Sequence, residues 1–297
     1  MIESIELKKL SEIQSHYDCF FIDLWGVIHN GISLFADVKE TLKKLKKNKK
    51  KVFFLTNAPR RSFVIKKQLE EFGLNESLYE DVISSGELTW QKLKNRKNLN
   101  CYLIGPPRDF HLVDGLSLNV VKNKKNVDII INTGPWGDHD SLENYKPLLN
   151  ELIKSNPVMI CSNPDKTVVR GEKFMICAGL LAEYYEKIGG RVEYYGKPFD
   201  EIYEYTYLKF NNKGCKILVI GDSLENDIRG ANSQNLDSLL ITSGIHREVN
   251  NDSGIDKDKL NDLIKKKNNK SLFLHEGFNI LRKKNWIKLM SLLIGRI

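Results

Sequence analysis

Two strongly apolar runs, far apart in the chain, each lead into an aspartate. The run Cys19–Ile22 ends at Asp23, and the run 217–220 ends at Gly221 and Asp222. Runs of this length and composition are typical of buried strands in a parallel sheet. Open α/β sheets bind their ligands beyond the carboxyl ends of the strands, so both carboxylates are expected at one edge of one sheet. A carboxylate in that position can attack phosphorus or hold a metal ion.

The rest of the chain alternates strand-like and helical patterns. Strands are expected at 51–56, 101–104, 127–132, 157–162 and 239–241, and helices at 38–47, 62–72, 87–94, 142–154, 173–188, 199–209 and 227–234. This alternation predicts a doubly wound, Rossmann-like parallel sheet with right-handed crossovers. The pattern restarts near residue 84, which indicates an α/β domain at 84–190 inserted into a core formed by 1–83 and 191–297. After residue 249 the sequence is polar and loop-like, with a weaker element at 271–281.

Composition argues against several classes of protein. The net charge of +8 comes largely from lysine runs without the interleaved aromatic residues of a nucleic-acid stacking platform, so no nucleic-acid partner is expected. Five cysteines without a Cys-x-x-Cys pair favour reduced thiols and a cytoplasmic location. No apolar stretch is long enough for stable membrane insertion, and the apolar tail 286–297 is expected to pack on the body. A membrane-surface module using the lysines and this tail stays open as a further alternative.

Polar residues that suit a phosphoryl group lie between the two aspartates in sequence. Thr56 and Asn57 follow the second apolar strand, and Lys197 lies in a Gly-Lys-Pro segment. A hydroxyl, an amide and an ammonium group can bind phosphoryl oxygens. Two converging carboxylates can hold Mg²⁺, which keeps several waters and binds a substrate phosphate.

The order of these motifs resembles that of the haloacid dehalogenase-like (HAD) superfamily. The motifs are Asp-x-x-Gly-Val from Asp23, Thr-Asn at a strand end, Gly-Lys-Pro, and Gly-Asp-Ser-x-x-x-Asp ending at Asp227. The α/β insertion between the second and third motifs resembles class IIA of the superfamily, and Asn-Pro-Asp ending at Asp165 resembles a segment of its cap. The resemblance spans about residues 15–245.

The resemblance implies a role for each matching residue. Asp23 would be the nucleophile that forms an aspartyl-phosphate, and Thr56 would bind the phosphoryl oxygens. Lys197 would neutralise charge on the nucleophile and on the phosphate. Asp222 would bind Mg²⁺, and Asp227 would support the metal directly or through water. The implied activity is that of a phosphohydrolase acting on a small phosphorylated metabolite.

Further residues follow from the same resemblance. Asn57 and Ser223 are plausible neighbours of the phosphate and metal, and Asp165 is expected to contact the substrate from the cap. The cap would cover the catalytic edge and select the substrate. A homodimer formed through the cap is a further expectation.

Trp25 departs from the family pattern. Members that hydrolyse phosphate esters usually carry aspartate two residues after the nucleophile, where it protonates the leaving oxygen and then activates water. Indole offers only an N–H donor, although the backbone carbonyl of Trp25 can still ligate Mg²⁺. Asp-x-Trp-Gly-Val is interpreted as the mark of a subgroup of class IIA. Since losing a general acid or base costs ~10²–10⁴-fold, the alternative is a phospho-ligand-binding protein with impaired hydrolysis.

Four nearby residues leave more than one interpretation open. The ring of Trp25 is either an apolar plug or a stacking surface for a ring or sugar. His29 is either a replacement acid or a structural residue. Arg60 and Arg61 either bind a second anionic group or are solvated residues at a helix start.

Overall fold

The computed structural model describes residues 5–7, 9–170, 173–210, 214–252, 254–267 and 273–275. Its strands are β1 (Ile5–Glu6), β2 (Cys19–Ile22), β3 (Lys51–Thr56), β4 (Asp81–Ser84), β5 (Leu99–Ile104), β6 (Leu118–Val120), β7 (Ile129–Asn132), β8 (Val158–Cys161), β9 (Thr167–Arg170), β10 (Lys173–Ile176), β11 (Arg191–Tyr194), β12 (Ile217–Gly221), β13 (Asp237–Ile241), β14 (Asn250–Asn251), β15 (Gly254–Ile255) and β16 (Phe273–His275). Its α-helices are α1 (Val38–Lys47), α2 (Ser62–Glu71), α3 (Ser85–Leu93), α4 (Leu142–Leu152), α5 (Ala178–Lys187), α6 (Asp200–Lys209), α7 (Arg229–Ser233) and α8 (Lys257–Lys267).

A seven-stranded parallel sheet, the first sheet, places Asp23 and Asp222 side by side. Its order is β1-β16-β13-β12-β2-β3-β4. β2 pairs with β12 so that Ile22 lies beside Ile220, and each aspartate follows its strand. The chain winds from β2 towards β4 on one side and from β12 towards β16 on the other, so the winding reverses between β2 and β12. Such a reversal is a topological switch point, where open α/β sheets bind ligands.

A five-stranded parallel sheet, the second sheet, has a switch point of its own. Its order is β11-β8-β7-β5-β6. The chain passes from β5 to β6 on one side and then to β7, β8 and β11 on the other, so the reversal lies between β5 and β7. The two sheets and their flanking helices confirm the predicted α/β, doubly wound class.

The two sheets contribute to one shared apolar cluster. It contains Phe21 and Phe53 of the first sheet, Ile131 and Ile160 of the second, and Tyr203 of α6. Full burial of one such side chain contributes about 1.5–3 kcal/mol, so this cluster helps to hold the two sheets together. The opposite face of the first sheet is covered by other helices, including α1, which buries apolar residues at helical spacing.

The helix predicted at 173–188 starts later than expected. Lys173–Ile176 is instead strand β10, which pairs antiparallel with β9 to form a hairpin, and α5 begins at Ala178. Phe174 is 65% exposed and therefore does not continue the buried face of α5. The apolar residues Phe174 and Ile176 of β10 precede α5 at a spacing that resembles a helix, so the helix was predicted to begin too early.

Two further differences concern the end of the insertion and the C-terminal part. β11 pairs with β8, so the second sheet extends beyond the predicted boundary at 190; its alternating Arg-Val-Glu-Tyr pattern suits an edge strand. Helix α8 occupies a stretch predicted as loop, and β16 lies within the element predicted at 271–281. The tail 286–297 lies outside the described residues.

In the described part of the chain, no helix has both the length and the apolar character needed to span a bilayer. The five cysteines all lie within described ranges and form no disulfide.

Candidate active site

Three carboxylates converge at the switch point of the first sheet. Asp23 follows β2, Asp222 follows β12, and Asp227 lies on a π-helical turn, Leu224–Ile228, directly after it. One oxygen from each carboxylate lies within 4.8 Å of the others, and all three residues are buried. Burial raises the pKa of Asp23, and Asp227 raises it further. Burial also raises the pKa of Asp222, with contributions from the other two carboxylates.

Lys197 is the cation at this point. Its Nζ donates to Oδ1 of Asp23 at 2.6 Å, to Oδ1 of Asp227 at 2.7 Å and to the backbone carbonyl of Leu55 at 2.8 Å. Burial by itself would lower the pKa of Lys197, but Asp227 and Asp23 outweigh that effect and raise it. One ammonium against three carboxylates leaves excess negative charge. Oxygen donors with excess negative charge suit a hard divalent cation such as Mg²⁺.

Glycines make room for the carboxylate of Asp222. A Cβ at Gly26 or at Gly244 would overlap that carboxylate, and Gly26 also has a φ of +83°. Oδ2 of Asp222 accepts from the backbone amide of Ile245 at 2.8 Å. This contact explains why glycine follows Trp25 in the motif, because any side chain at Gly26 would displace Asp222.

Asn57 fixes Lys197 and connects it to Asp165. The Oδ1 of Asn57 accepts from the backbone amide of Lys197 at 2.7 Å, and its Nδ2 donates to the backbone carbonyl of Lys197 at 2.9 Å. The same Nδ2 lies 2.8 Å from Oδ1 of Asp165, which also accepts from Nδ2 of Asn226 at 2.7 Å. Burial raises the pKa of Asp165 to about 6, against the lowering effect of the Asn57 bond. Asp165, which follows β8, thus joins the second sheet to the site on the first.

Thr56 and Ser223 have mainly local partners. Oγ1 of Thr56 accepts from the amide of Ala58 at 3.2 Å, and the residue is buried beside the carboxylates. Ser223 caps the π-helical turn, since its Oγ accepts from the amide of Asn226 at 3.3 Å, and its own amide donates to Oδ2 of Asp227 at 3.1 Å.

A cavity of about 260 Å³, the phosphate cavity, brings the predicted site residues together. All eight line it: Asp23, Trp25, Thr56, Asn57, Asp165, Lys197, Asp222 and Asp227. Sequence reasoning missed Asn226 and Arg247, which also line it. Asn226 could have been noticed as the polar residue beside Asp227, whereas nothing in the local sequence singles out Arg247.

Trp25 is held in one place by its neighbours. Its ring meets His29 edge to face at a centroid distance of 5.5 Å, and His29 meets Phe72 in the same way at 5.4 Å. A Cβ at Gly31, whose φ is +85°, would overlap the indole. Nδ1 of His29 accepts from the amide of Gly31 at 3.0 Å. Burial lowers the pKa of His29 to about 4, with a further contribution from Arg60, which favours a neutral ring packed against Trp25.

The two arginines after β3 are both paired with carboxylates. Arg60 donates from Nε to Oδ1 of Asp109 at 3.2 Å. Arg61 forms a two-pronged pair with Glu87 at 2.6 and 3.4 Å, and its guanidinium lies 4.0 Å from the ring centre of Trp90. Arg61 lies at the start of α2, as one interpretation held, but both arginines are partly buried and paired with carboxylates.

Two family models match the chain on either side of the second sheet's central strands. The description "haloacid dehalogenase-like hydrolase" matches residues 20–118, and a HAD-hydrolase-like model matches residues 194–264. Among curated proteins, 4-nitrophenylphosphatase from Schizosaccharomyces pombe is 24% identical over 269 residues, which are 81% of this chain and 89% of the relative. Ribonucleotide monophosphatase NagD from Escherichia coli is 32% identical over 95 residues, 32% of this chain and 37% of the relative.

A solved structure matches nearly the whole chain. It is a hydrolase of the haloacid dehalogenase-like family from Brucella suis 1330, 30% identical, with a TM-score of 0.79 over 92% of this chain and 99% of that chain. The motif order, the convergence of the motif residues on one cavity and this near-complete match agree with one another. The chain belongs to the haloacid dehalogenase-like hydrolase family.

Proposed function

We propose that the protein is a Mg²⁺-dependent phosphohydrolase that acts on a small phosphorylated metabolite through an aspartyl-phosphate on Asp23. The observation that carries this proposal is the meeting of Asp23, Asp222, Asp227 and Lys197 around one buried point. The names of the curated relatives, a 4-nitrophenylphosphatase and a ribonucleotide monophosphatase, support a phosphomonoester as the substrate class.

The chemistry follows from the positions of these groups. A carboxylate oxygen of Asp23 attacks phosphorus, the bond from phosphorus to the leaving oxygen breaks, and the phosphoryl group stays on Asp23. Water then attacks this phosphorus, which releases inorganic phosphate and restores the carboxylate. Lys197 and the hydroxyl of Thr56 stabilise charge on the phosphoryl oxygens in both steps.

The three carboxylates and the backbone carbonyl of Trp25 are the groups that would hold Mg²⁺. The ion would supply positive charge against the phosphoryl oxygens and the nucleophile. Lys197, already bonded to Asp23 and Asp227, holds these two carboxylates in place.

The segment from Ser85 to Tyr194 serves as the cap in this proposal. Its Asp165 touches Asn57 and Asn226, and its β9–β10 hairpin contributes Val168 to the phosphate cavity. A cover of this kind excludes water and contacts the non-phosphate part of a substrate. A dimer formed through this segment, a cytoplasmic location and a lack of nucleic-acid binding stay predictions.

The test is a panel of phosphorylated metabolites with Mg²⁺, assayed by phosphate release, with Asp23→Asn as the control. We expect wild type to release phosphate from at least one compound on the order of 10³-fold faster than the variant, because the variant lacks the nucleophile. Equal rates on every compound would remove the hydrolase proposal.

A phospho-ligand-binding protein with impaired turnover is the second candidate, and Trp25 favours it. The fixed indole stands where an acid and base is usual, and the neighbouring His29 has a lowered pKa and lies outside the phosphate cavity. If this candidate is right, Trp25→Asp raises turnover by ~10²-fold or more. No gain in Trp25→Asp, together with ready turnover by wild type, would count against it.

A further inference from the structure

A second cavity of about 340 Å³ lies at the switch point of the second sheet. Pro106 and Asp109 follow β5, and Thr133 and Gly134 follow β7, so the cavity opens beyond the two strands between which the winding reverses. Its size falls in the range of small-molecule sites. This ligand-sized crevice faces the first sheet, because residues after β2 and β3 form its other wall.

The second cavity adjoins the phosphate cavity. Trp25, Thr56, Asp165 and Val168 line both. A molecule whose phosphate lies over Asp23 can therefore extend past the indole of Trp25 into the second cavity.

Both cations of the second cavity are already paired with carboxylates. The charged groups of this cavity are Arg60, Arg108, Asp109, Asp138 and Asp165. Arg60 pairs with Asp109 at 3.2 Å, and Arg108 lies 3.9 Å from Asp138. Among the described residues that line it, two cations thus face three carboxylates. A second anionic group on a ligand would find no surplus positive charge and would be repelled by Asp165.

The remaining walls suit a ring. Trp25 presents a fixed indole, and Pro59, Pro106 and Pro135 add rigid apolar surface. The Arg60–Asp109 pair uses only Nε of the guanidinium, as far as the described contacts go, so its other N–H groups can donate and the carboxylate can accept. Apolar faces with hydrogen-bonding groups at one side match a neutral ring that carries both donors and acceptors.

We propose that the second cavity binds the leaving group of the substrate as a neutral, hydrogen-bonding ring, a sugar or a nucleoside, and discriminates against substrates with a second anionic group. This inference rests on the phosphohydrolase proposal, because it requires the phosphate to occupy the phosphate cavity. The substrate is then selected by the two arginine–carboxylate pairs of the second cavity and by the ring of Trp25.

Calorimetric binding to the Asp23→Asn protein with Mg²⁺ tests the inference without turnover. The ligands are inorganic phosphate and two matched pairs, fructose 6-phosphate with fructose 1,6-bisphosphate, and adenosine 5′-monophosphate with adenosine 3′,5′-bisphosphate. We expect one monophosphate to bind at least tenfold more tightly than inorganic phosphate and than its bisphosphate partner. The pair that shows this difference identifies the ring as sugar or nucleoside.

Two outcomes separate the inference from the phosphohydrolase proposal. If inorganic phosphate binds but neither monophosphate binds more tightly, or if the tighter-binding monophosphate is matched by its own bisphosphate partner, the second cavity has been misassigned. If neither phosphate nor any ester binds in the presence of Mg²⁺, the phosphohydrolase proposal fails first.

A charge variant sharpens the test. Asp109→Asn, made in the same Asp23→Asn background, removes the partner of Arg60, so we expect bisphosphate binding to tighten about tenfold while inorganic phosphate is unaffected. Glu87→Gln is the matched control, because it removes the partner of Arg61, which does not line the cavity. Equal effects of the two variants, or no effect of Asp109→Asn on a well-folded protein, would overturn the proposal.

Discussion

The carboxyl ends of the two parallel sheets face each other but differ in charge. At the first sheet, Asp23, Asp222 and Asp227 share one ammonium, that of Lys197, in a fully buried position. In the second cavity, between the two sheets, each arginine has its own carboxylate. The same topology therefore produces two kinds of site. Unbalanced buried carboxylates suit a metal ion, whereas paired charges suit a neutral polar group.

The difference in burial should appear most strongly in stability. The side chains of Lys197 and Asp227 are 3% and 2% exposed, while those of Arg60 and Asp109 are 29% and 5% exposed. Removing one partner of a fully buried ion pair leaves the other charge buried and without compensation. Lys197→Met should therefore cost about 3–5 kcal/mol of unfolding free energy, measured by urea denaturation in the presence of a chelator.

Arg60→Met is the matched change in the second cavity. The Arg60 side chain is 29% exposed and its guanidinium makes one hydrogen bond to Asp109. We therefore expect a smaller loss of unfolding free energy, about 1–2 kcal/mol. Equal losses for the two variants would show that the two ends do not differ in the way described.

His29, which supports Trp25 between the two cavities, predicts a pH effect. Its pKa is lowered from 6.5 to about 4 in the folded protein, so the unfolded chain binds the extra proton over this interval. Stability should therefore fall as the pH drops from about 6.5 towards 4, by about 3 kcal/mol in total from this residue. Urea denaturation of wild type and of His29→Gln across this range measures it. Parallel pH profiles for the two proteins would refute the assignment.

Metal binding should distinguish the site on the first sheet from the second cavity, with a slightly smaller effect on stability. Mg²⁺ at about 100 times its dissociation constant should stabilise the protein by about 2.7 kcal/mol, seen as a rise in the melting temperature that a chelator reverses. Asp222→Asn should lose this rise, and Arg108→Gln at the second sheet should keep it. A rise that survives Asp222→Asn would place the metal elsewhere.

The first sheet and its site could be predicted from sequence because their signals are local. A buried strand followed by an aspartate identifies Asp23 and Asp222 without knowledge of the partner strand. The periodic apolar positions of α1 likewise fix its bounds at Val38–Lys47. In these cases one short segment carries both the structure and its chemical group.

The second sheet was harder because its signals depend on contacts between distant segments. The β9–β10 hairpin is defined by pairing, and the helix-like spacing after Phe174 concealed it. β11 is recognisable only once β8 is beside it. The pairing of Arg60 with Asp109 joins residues from two sheets, and no local pattern announces it. Helix α8, by contrast, had a usable signal in Leu260, Leu263 and Ile264 at helical spacing.

At the carboxyl end of the first sheet, a phosphoryl group is proposed to pass from the substrate to Asp23. The most direct test is rapid acid quench of the Mg²⁺-loaded protein during turnover of its best monoester, followed by peptide mass spectrometry. Our account predicts a phosphoryl group on the peptide that contains Asp23, in wild type and not in Asp23→Asn. Steady phosphate release from Asp23→Asn, or a phosphoryl group located on another residue, would contradict it.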